Sequence, residues 1–356
     1  MSHVLHRNIS KPVPTVKSAD GNYLIDETGK KYLDASGGAA VSCLGHTNQR
    51  VIKAIKDQLD KVSFAHTGVF SNQPAEELAT YLIENAPEGL GNGRAMFLGS
   101  GSKATEAALK LARQYHLERG DVTRGKIIAR EKSYHGNTLG ALATGGHKQR
   151  QKPFDPLLID VAHIPPCYSY RYKNENETPV EFGLRMANTL EEEILKQGAE
   201  NVAAFFAEPV SGASLGAEPA APGYFKRIRE ICDQYGVLFI ADEVMCGMGR
   251  TGYLFAMEAE DACPDIITIA KGLGAGYQPI ASVMANEKVT KAIENGSGNL
   301  WNGHTYMSHA IACAGALAVL KVIEEDQLLG SVRAQGAKLK RMLEENFSGR
   351  NSPNPI

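Results

Sequence analysis

The sequence has no apolar run long enough to cross a membrane, no paired cysteines and no excess of either charge. The longest uncharged stretch near its end, 307–320, is short and rich in Ala and Gly, well below the ~20 residues a spanning helix needs. Its six cysteines, at positions 43, 167, 232, 246, 263 and 313, form no CxxC pair and no Cys/His spacing suited to zinc. This argues for reduced thiols in a cytoplasmic setting and against a structural metal. The formal net charge is -2 with basic residues dispersed, so nothing favours nucleic acid or an anionic membrane as a partner. The first twenty residues lack the apolar centre of a secretion signal. What remains is the composition of a globular protein, 43% hydrophobic and 22% charged over 356 residues, long enough for about two domains and a large core.

Strand-like and helix-like segments alternate through the middle of the chain. Strands are expected at 94–99, 125–131, 200–210, 237–244 and 265–271, and helices at 102–120 and 222–236. Continuous apolar runs such as "AAFFA" and "VLFIA" suit strands buried on both faces. With intervening helices they imply a mostly parallel sheet, an α/β core over at least 94–285. Before it, "GNYLIDETGKKYLDASGG" (21–38) reads as short strands around a hairpin turn. After it, 308–346 reads as long helix with an interruption near Gly330.

In such sheets ligands gather at the carboxyl ends of strands, so the residues that end each strand matter most. The first strand runs into "GSGSKATEA", where free N–H groups at a helix start suit a phosphate. The plainer reading is a capped helix with Ser102 as N-cap. The second is followed by Tyr134 and His135, the third ends in Glu208, the fourth in Asp242–Glu243, and the last in Lys271. Each also has an ordinary reading: solvated loop residues, paired acids, a lysine snorkelling to water. The "GMGRTG" segment (247–252) matches a dinucleotide pattern, but the sequence after it offers neither the helix nor the distant acid that such a site requires.

One ligand unites an anion cradle, an aromatic, an acid and a lysine: pyridoxal 5′-phosphate (PLP). Lys271 would form a Schiff base with its aldehyde, and Asp242 would hold the proton on its ring nitrogen. Gly101 and Ser102 would take the phosphate, while Tyr134 and Val244 would cover the two faces of the ring.

The combination "SGSKATEAALKLAR", "SYHG", "AEPV", "FIADEV", "GMGRTG", "PDIITIAKGLGAGYQPI" and "GHTY" closely resembles the class III aminotransferases, the ω-, ornithine and GABA aminotransferase group. The resemblance covers almost the whole chain. It implies a fold type I PLP enzyme, aspartate aminotransferase-like, with a mostly parallel central sheet flanked by helices. It implies an N-terminal small-domain segment (1–55), a large PLP-binding domain (56–307), and a linking helix with an incomplete C-terminal small domain (308–356). It implies cofactor contacts from Gly101, Ser102, Tyr134, His135, Asp242, Val244 and Lys271. Thr305 is implied to reach the cofactor phosphate of a second subunit in a homodimer. Glu208 matches a glutamate that in some members engages an arginine used for substrate carboxylates. The implied reaction is ping-pong transfer of an amino group from an amine or amino acid to a keto acid; decarboxylation and aminomutation use the same residues. Phe64, His66, Phe70 and Trp301 are pocket candidates by position alone.

Two departures stand out. Met245 occupies the position where many members carry a glutamine that bonds the cofactor's phenolic oxygen. The chain also stops in "SGRNSPNPI", where members usually continue into a further small-domain sheet that in some carries a carboxylate-binding arginine. The alternative expectation is therefore a truncated, non-catalytic or unstable PLP-binding fragment with apolar surface exposed.

Overall fold

The computed structural model describes residues 2–347; the final stretch singled out above, from 348 on, lies outside the described residues. Near the N-terminus β1 (Val16–Asp20), β2 (Tyr23–Asp26) and β3 (Lys31–Leu33) form an antiparallel meander, with the expected hairpin between β2 and β3. Asp26 pins that turn: its Oδ1 accepts Thr28 N and Lys30 N at 2.9 and 3.0 Å.

The central sheet has seven strands: β4 (Arg94–Leu98), β5 (Lys126–Arg130), β6 (Ala162–Ile164), β7 (Val202–Ala207), β8 (Leu238–Asp242), β9 (Ile266–Ile269) and β10 (Ala281–Ala285). Their order is β4-β10-β9-β8-β7-β5-β6. Only β10 runs against its neighbours, and its two antiparallel pairings leave β4 pointing the same way as β9. The remaining pairs are parallel. The sheet is therefore mixed but largely parallel. The strands are also shorter than the sequence suggests. The last apolar run ends at Ile269, and Lys271 begins a 3₁₀ turn, Lys271–Leu273, rather than closing the strand.

Helices cover both faces. The main ones are α1 (Gln49–Leu59), α2 (Gln73–Glu84), α3 (Gly101–Glu118), α4 (Pro179–Gln197), α5 (Tyr224–Tyr235), α6 (Glu287–Asn295), α7 (Ala310–Glu325) and α8 (Leu328–Phe347). Side chains alternate across each strand. Phe205, Phe239 and Ile267 therefore pack in one core with Phe182 and Leu190 of α4 and with Phe225 and Ile228 of α5. Phe206, Ile240 and Ile266 pack on the other side with Ala104, Ala107, Ala108 and Leu111 of α3. The alanine stripe lets α3 lie close to the sheet, which matters because its first turn forms part of the site.

At the C-terminal end the helical region does break, but not at Gly330. The break falls at Asp326–Gln327, where Gln327 takes a φ of +52°, and Gly330 lies inside α8. Helix α7 is apolar over most of its surface and packs against α1 and α2. Residue 55 lies inside α1.

Candidate active site

Because β4, β5, β7, β8 and β9 point the same way, their carboxyl ends meet along one edge of the sheet. The side chains expected to act together are delivered to that edge by separate strands.

After β4 the chain turns into α3. Ser100, not Ser102, is its N-cap: Ser100 is extended and its Oγ accepts the Lys103 N–H at 3.3 Å. Ser102 Oγ instead accepts the Asn137 N–H at 3.0 Å, tying α3 to the loop after β5. Gly101 must be small. A methyl there would sit 2.9 Å from Val244 Cγ1 and 3.5 Å from Ala270 Cβ, so Val244, just beyond β8, and Ala270, before Lys271, both pack against the start of α3.

From β5 come Tyr134 and His135, which part company. Tyr134 is partly exposed, with the Arg150 guanidinium 5.0 Å from its ring centre. His135 is buried, its backbone carbonyl accepting from Thr105 Oγ1 at 2.6 Å and its ring set edge-on to Phe206. His135 Nδ1 lies 2.7 Å from Asp242 Oδ2. The other carboxylate oxygen of Asp242 accepts from Val244 N at 2.9 Å and from Thr268 Oγ1 at 3.4 Å. Asp242 is buried, and these groups from three strand ends fix it in place. His135 Nε2 is buried without a partner.

Lys271 follows β9, half-buried, with a φ of +42°. A non-glycine residue held in that region is strained, a feature that gathers at functional sites. Burial lowers the pKa of its amine, with Asp242 opposing and Arg250 reinforcing the effect. A lysine with a lowered pKa is neutral more of the time, as a nucleophilic amine must be.

Glu208, just beyond β7, is buried; its Oε1 accepts the Gly212 N–H at 3.1 Å and its Oε2 has no partner. Burial pushes its carboxyl above the usual range. No arginine engages that carboxylate among the described residues. Arg130 donates instead to the Glu208 backbone carbonyl and to Ser211 Oγ. Arg130 is itself buried, over the rings of Tyr224 and Phe225 at 5.9 and 6.0 Å. Sequence reading missed it, although a charged residue ending the run "KIIAR" gives the same signal as Asp242 and Lys271.

The other candidates lie apart. Thr305 is exposed in a turn before α7. Phe64, His66 and Phe70 line a groove of about 880 Å³ between α1, α2 and α7, which none of Lys271, Asp242 or His135 touches. Phe64 stacks edge-on with Tyr306 at 5.6 Å. Trp301 is 77% exposed, and its backbone N–H donates to Gln114 Oε1. The "GMGRTG" segment forms turns followed by a short 3₁₀ helix, Ala256–Ala259, without the long helix of a dinucleotide site. Among the described residues no cluster of side chains suits a metal ion, and no helix is long and apolar enough to cross a membrane.

The donor set fits PLP. A helix start with serine hydroxyls faces the phosphate's chemistry, a buried Asp242 that of a pyridinium, and a desolvated amine that of an aldehyde. Two of the buried polar atoms without a hydrogen-bond partner, His135 Nε2 and Glu208 Oε2, are at the same edge.

Comparison with known proteins agrees. The model of the family "Aminotransferase class-III" matches residues 5–353. An uncharacterized aminotransferase of Schizosaccharomyces pombe is 46% identical over 335 residues, 94% of this chain and 72% of the relative. A γ-aminobutyrate transaminase from the chloroplast of Solanum lycopersicum is 37% identical over 332 residues, 92% of this chain and 64% of the relative. The crystal structure of the Pseudomonas jessenii ω-transaminase in complex with PMP superposes with a TM-score of 0.84 at 36% identity, covering 89% of this chain and 70% of that one. The chain belongs to the class III aminotransferases and is a PLP-dependent aminotransferase of fold type I.

Proposed function

We propose that this chain moves an amino group from an amine or amino-acid donor to a keto acid in two half-reactions, with Lys271 as the working base. The observation that carries the reading is Lys271 itself: a strained, half-buried lysine with a lowered pKa, on the same sheet edge as the Asp242–His135 pair. When bound, PLP supplies an aldehyde and a ring that takes up electrons from the donor carbon. Lys271 Nζ would face that aldehyde, and would take the proton from the amine-bearing carbon of the donor and later return one. Asp242 holds the proton on the ring nitrogen, and His135 orients Asp242. Gly101 and Ser102 would hold the phosphate at the first turn of α3, and Val244 and Tyr134 would cover the two faces of the ring.

The site so defined belongs to the proposed large domain, 56–307, flanked by the segments 1–55 and 308–356. The active unit in this reading is a homodimer, with Thr305 reaching a second copy's phosphate site; its exposure supports that. Six unpaired cysteines support a reducing, cytoplasmic setting. Relatives named for γ-aminobutyrate make a terminal amine the first donor to try.

The test is an absorbance spectrum of the full chain with PLP, before and after a donor amine. A visible band that fades with donor and returns with keto acid supports transfer. A folded protein with no band, or a Lys271→Ala variant with the same band as wild type, refutes the role given to Lys271.

A further inference from the structure

Glu208 stands on the edge that carries Lys271 and Asp242, yet it has the surroundings of an uncharged group. Its side chain is 4% exposed. Oε1 accepts one backbone N–H, from Gly212 at 3.1 Å, and Oε2 has no partner. No ion pair reaches the carboxyl among the described residues. Arg130, a cation that acts on it, turns Nη2 toward the Glu208 backbone carbonyl and Ser211 Oγ. Met245 packs near the same backbone turn. A methyl on Gly212 would lie 2.8 Å from Met245 Sδ and 3.4 Å from Glu208 Oε1, so the thioether and the carboxyl both border Gly212. A thioether is a poor acceptor and no donor.

A buried carboxylate with one hydrogen bond and no counter-charge is costly, and protonation removes the cost. The charged groups acting on Glu208 are His135, Asp242 and Arg130, and it acts in turn on Lys271 and Cys246. Burial is the largest influence, and it favours the protonated form. With Oε1 occupied as an acceptor, the proton resides on Oε2, the atom without a partner.

We propose that Glu208 serves the site as a neutral carboxylic acid, its Oε2–H donating a hydrogen bond to an electron-rich oxygen of the molecule bound between Lys271 and Asp242. This rests on the PLP reading, in which the ring oxygen of the cofactor is an acceptor of the right kind. Glu208 is then a hydrogen-bond donor, not a carboxylate waiting for an arginine.

The test is infrared difference spectroscopy on the full chain at neutral pH, wild type against Glu208→Gln, with and without PLP. The subtraction is needed because burial also pushes Glu243 to about 8 and Glu260 to about 7. The expected result is a protonated-carboxyl band in wild type that is absent from Glu208→Gln and moves to lower frequency when PLP is added. Calorimetric titration with PLP gives the second readout. Glu208→Gln, which keeps a donor, binds within about threefold of wild type, whereas Glu208→Leu, similar in volume, binds about tenfold more weakly. Absence of the band overturns the proposal, and so does a band that PLP leaves unmoved. A wild type that binds no PLP refutes the cofactor reading and the donor role with it, whereas one that binds PLP over a silent Glu208 refutes the donor role alone.

Discussion

Gly136 sits where the loop after β5 crosses the first turn of α3, with a φ of +134°. An alanine there meets two separate costs. The backbone conformation is nearly closed to L side chains, which costs about 1–3 kcal/mol. The added methyl would also lie 2.7 Å from Ser102 Oγ, 2.9 Å from Ser102 Cα and 3.0 Å from Ala141 Cβ. The serine hydroxyl can rotate, but its Cα belongs to a helix and cannot yield without moving the backbone, so overpacking adds about 1–3 kcal/mol. Gly136→Ala is therefore expected to lose about 2–6 kcal/mol in urea unfolding. Gly330 is the control. It lies inside α8 with nothing within 4 Å of the methyl an alanine would add. Gly330→Ala is expected to gain about 0.5–1 kcal/mol. The displaced neighbour in Gly136→Ala is Ser102, so its PLP affinity should fall as well, while Gly330→Ala leaves affinity unchanged. If Gly136→Ala unfolds within about 0.5 kcal/mol of wild type, the close approach of the loop to α3 is wrong, and with it the position of His135.

Three further perturbations test other parts of the frame. Asp242→Asn keeps an acceptor for Val244 N but removes the charge beside His135; turnover should fall by about 10²–10³, and a fall of less than tenfold would count against Asp242 as the ring-nitrogen partner. Asp265 is buried, yet the Arg229 guanidinium at 2.9 Å and the Lys288 amine hold its carboxyl below its ordinary value of 3.8. Asp265→Asn should cost about 3–5 kcal/mol at neutral pH, and the gap to wild type should narrow only as pH falls below 3.8; a gap that closes at higher pH would refute the pairing. Glu243 is the reverse case. Burial pushes it from 4.5 to about 8, against the Ala256 and Met257 N–H groups that it accepts. The folded state therefore keeps a proton that the unfolded state releases, and stability falls as pH rises through that window, on the order of 5 kcal/mol in all. Glu243→Gln should gain on wild type between pH 5 and 8, and parallel unfolding profiles would show that Glu243 is ionised when folded.

Much of this site was legible because charge is conspicuous where an apolar run stops. Asp242 after "VLFIA" and Lys271 after "IITIA" are each held by a strand too buried to leave them in bulk water, and the fold gives both to one edge. The signal was generic, and Arg130 carries it too: the charged end of β5 went unread because nothing nearby suggested a partner, and its true partner is a backbone carbonyl 78 residues away. The His135–Asp242 bond was illegible for a related reason. It joins residues 107 apart in sequence, and their meeting depends on β5 and β8 flanking β7 in the sheet, an order that no local pattern encodes. Local ambiguity explains the smaller errors. In "GSGS" either serine satisfies the cap pattern, and the extended backbone of Ser100, φ −168°, decides between them. Gly330 is a weak helix breaker at about 1 kcal/mol, less than α8 gains by continuing, so the chain breaks instead at Gln327. The reversed strand β10 follows the glycine-rich turn at 272–276. That turn brings β10 back beside β9, and in doing so it seats β4, with the start of α3, on the same edge as Lys271. The glycines beside the lysine therefore do more than leave room for a ligand: they reverse the chain so that the helix start proposed to hold phosphate and the amine proposed to meet the aldehyde can share one site.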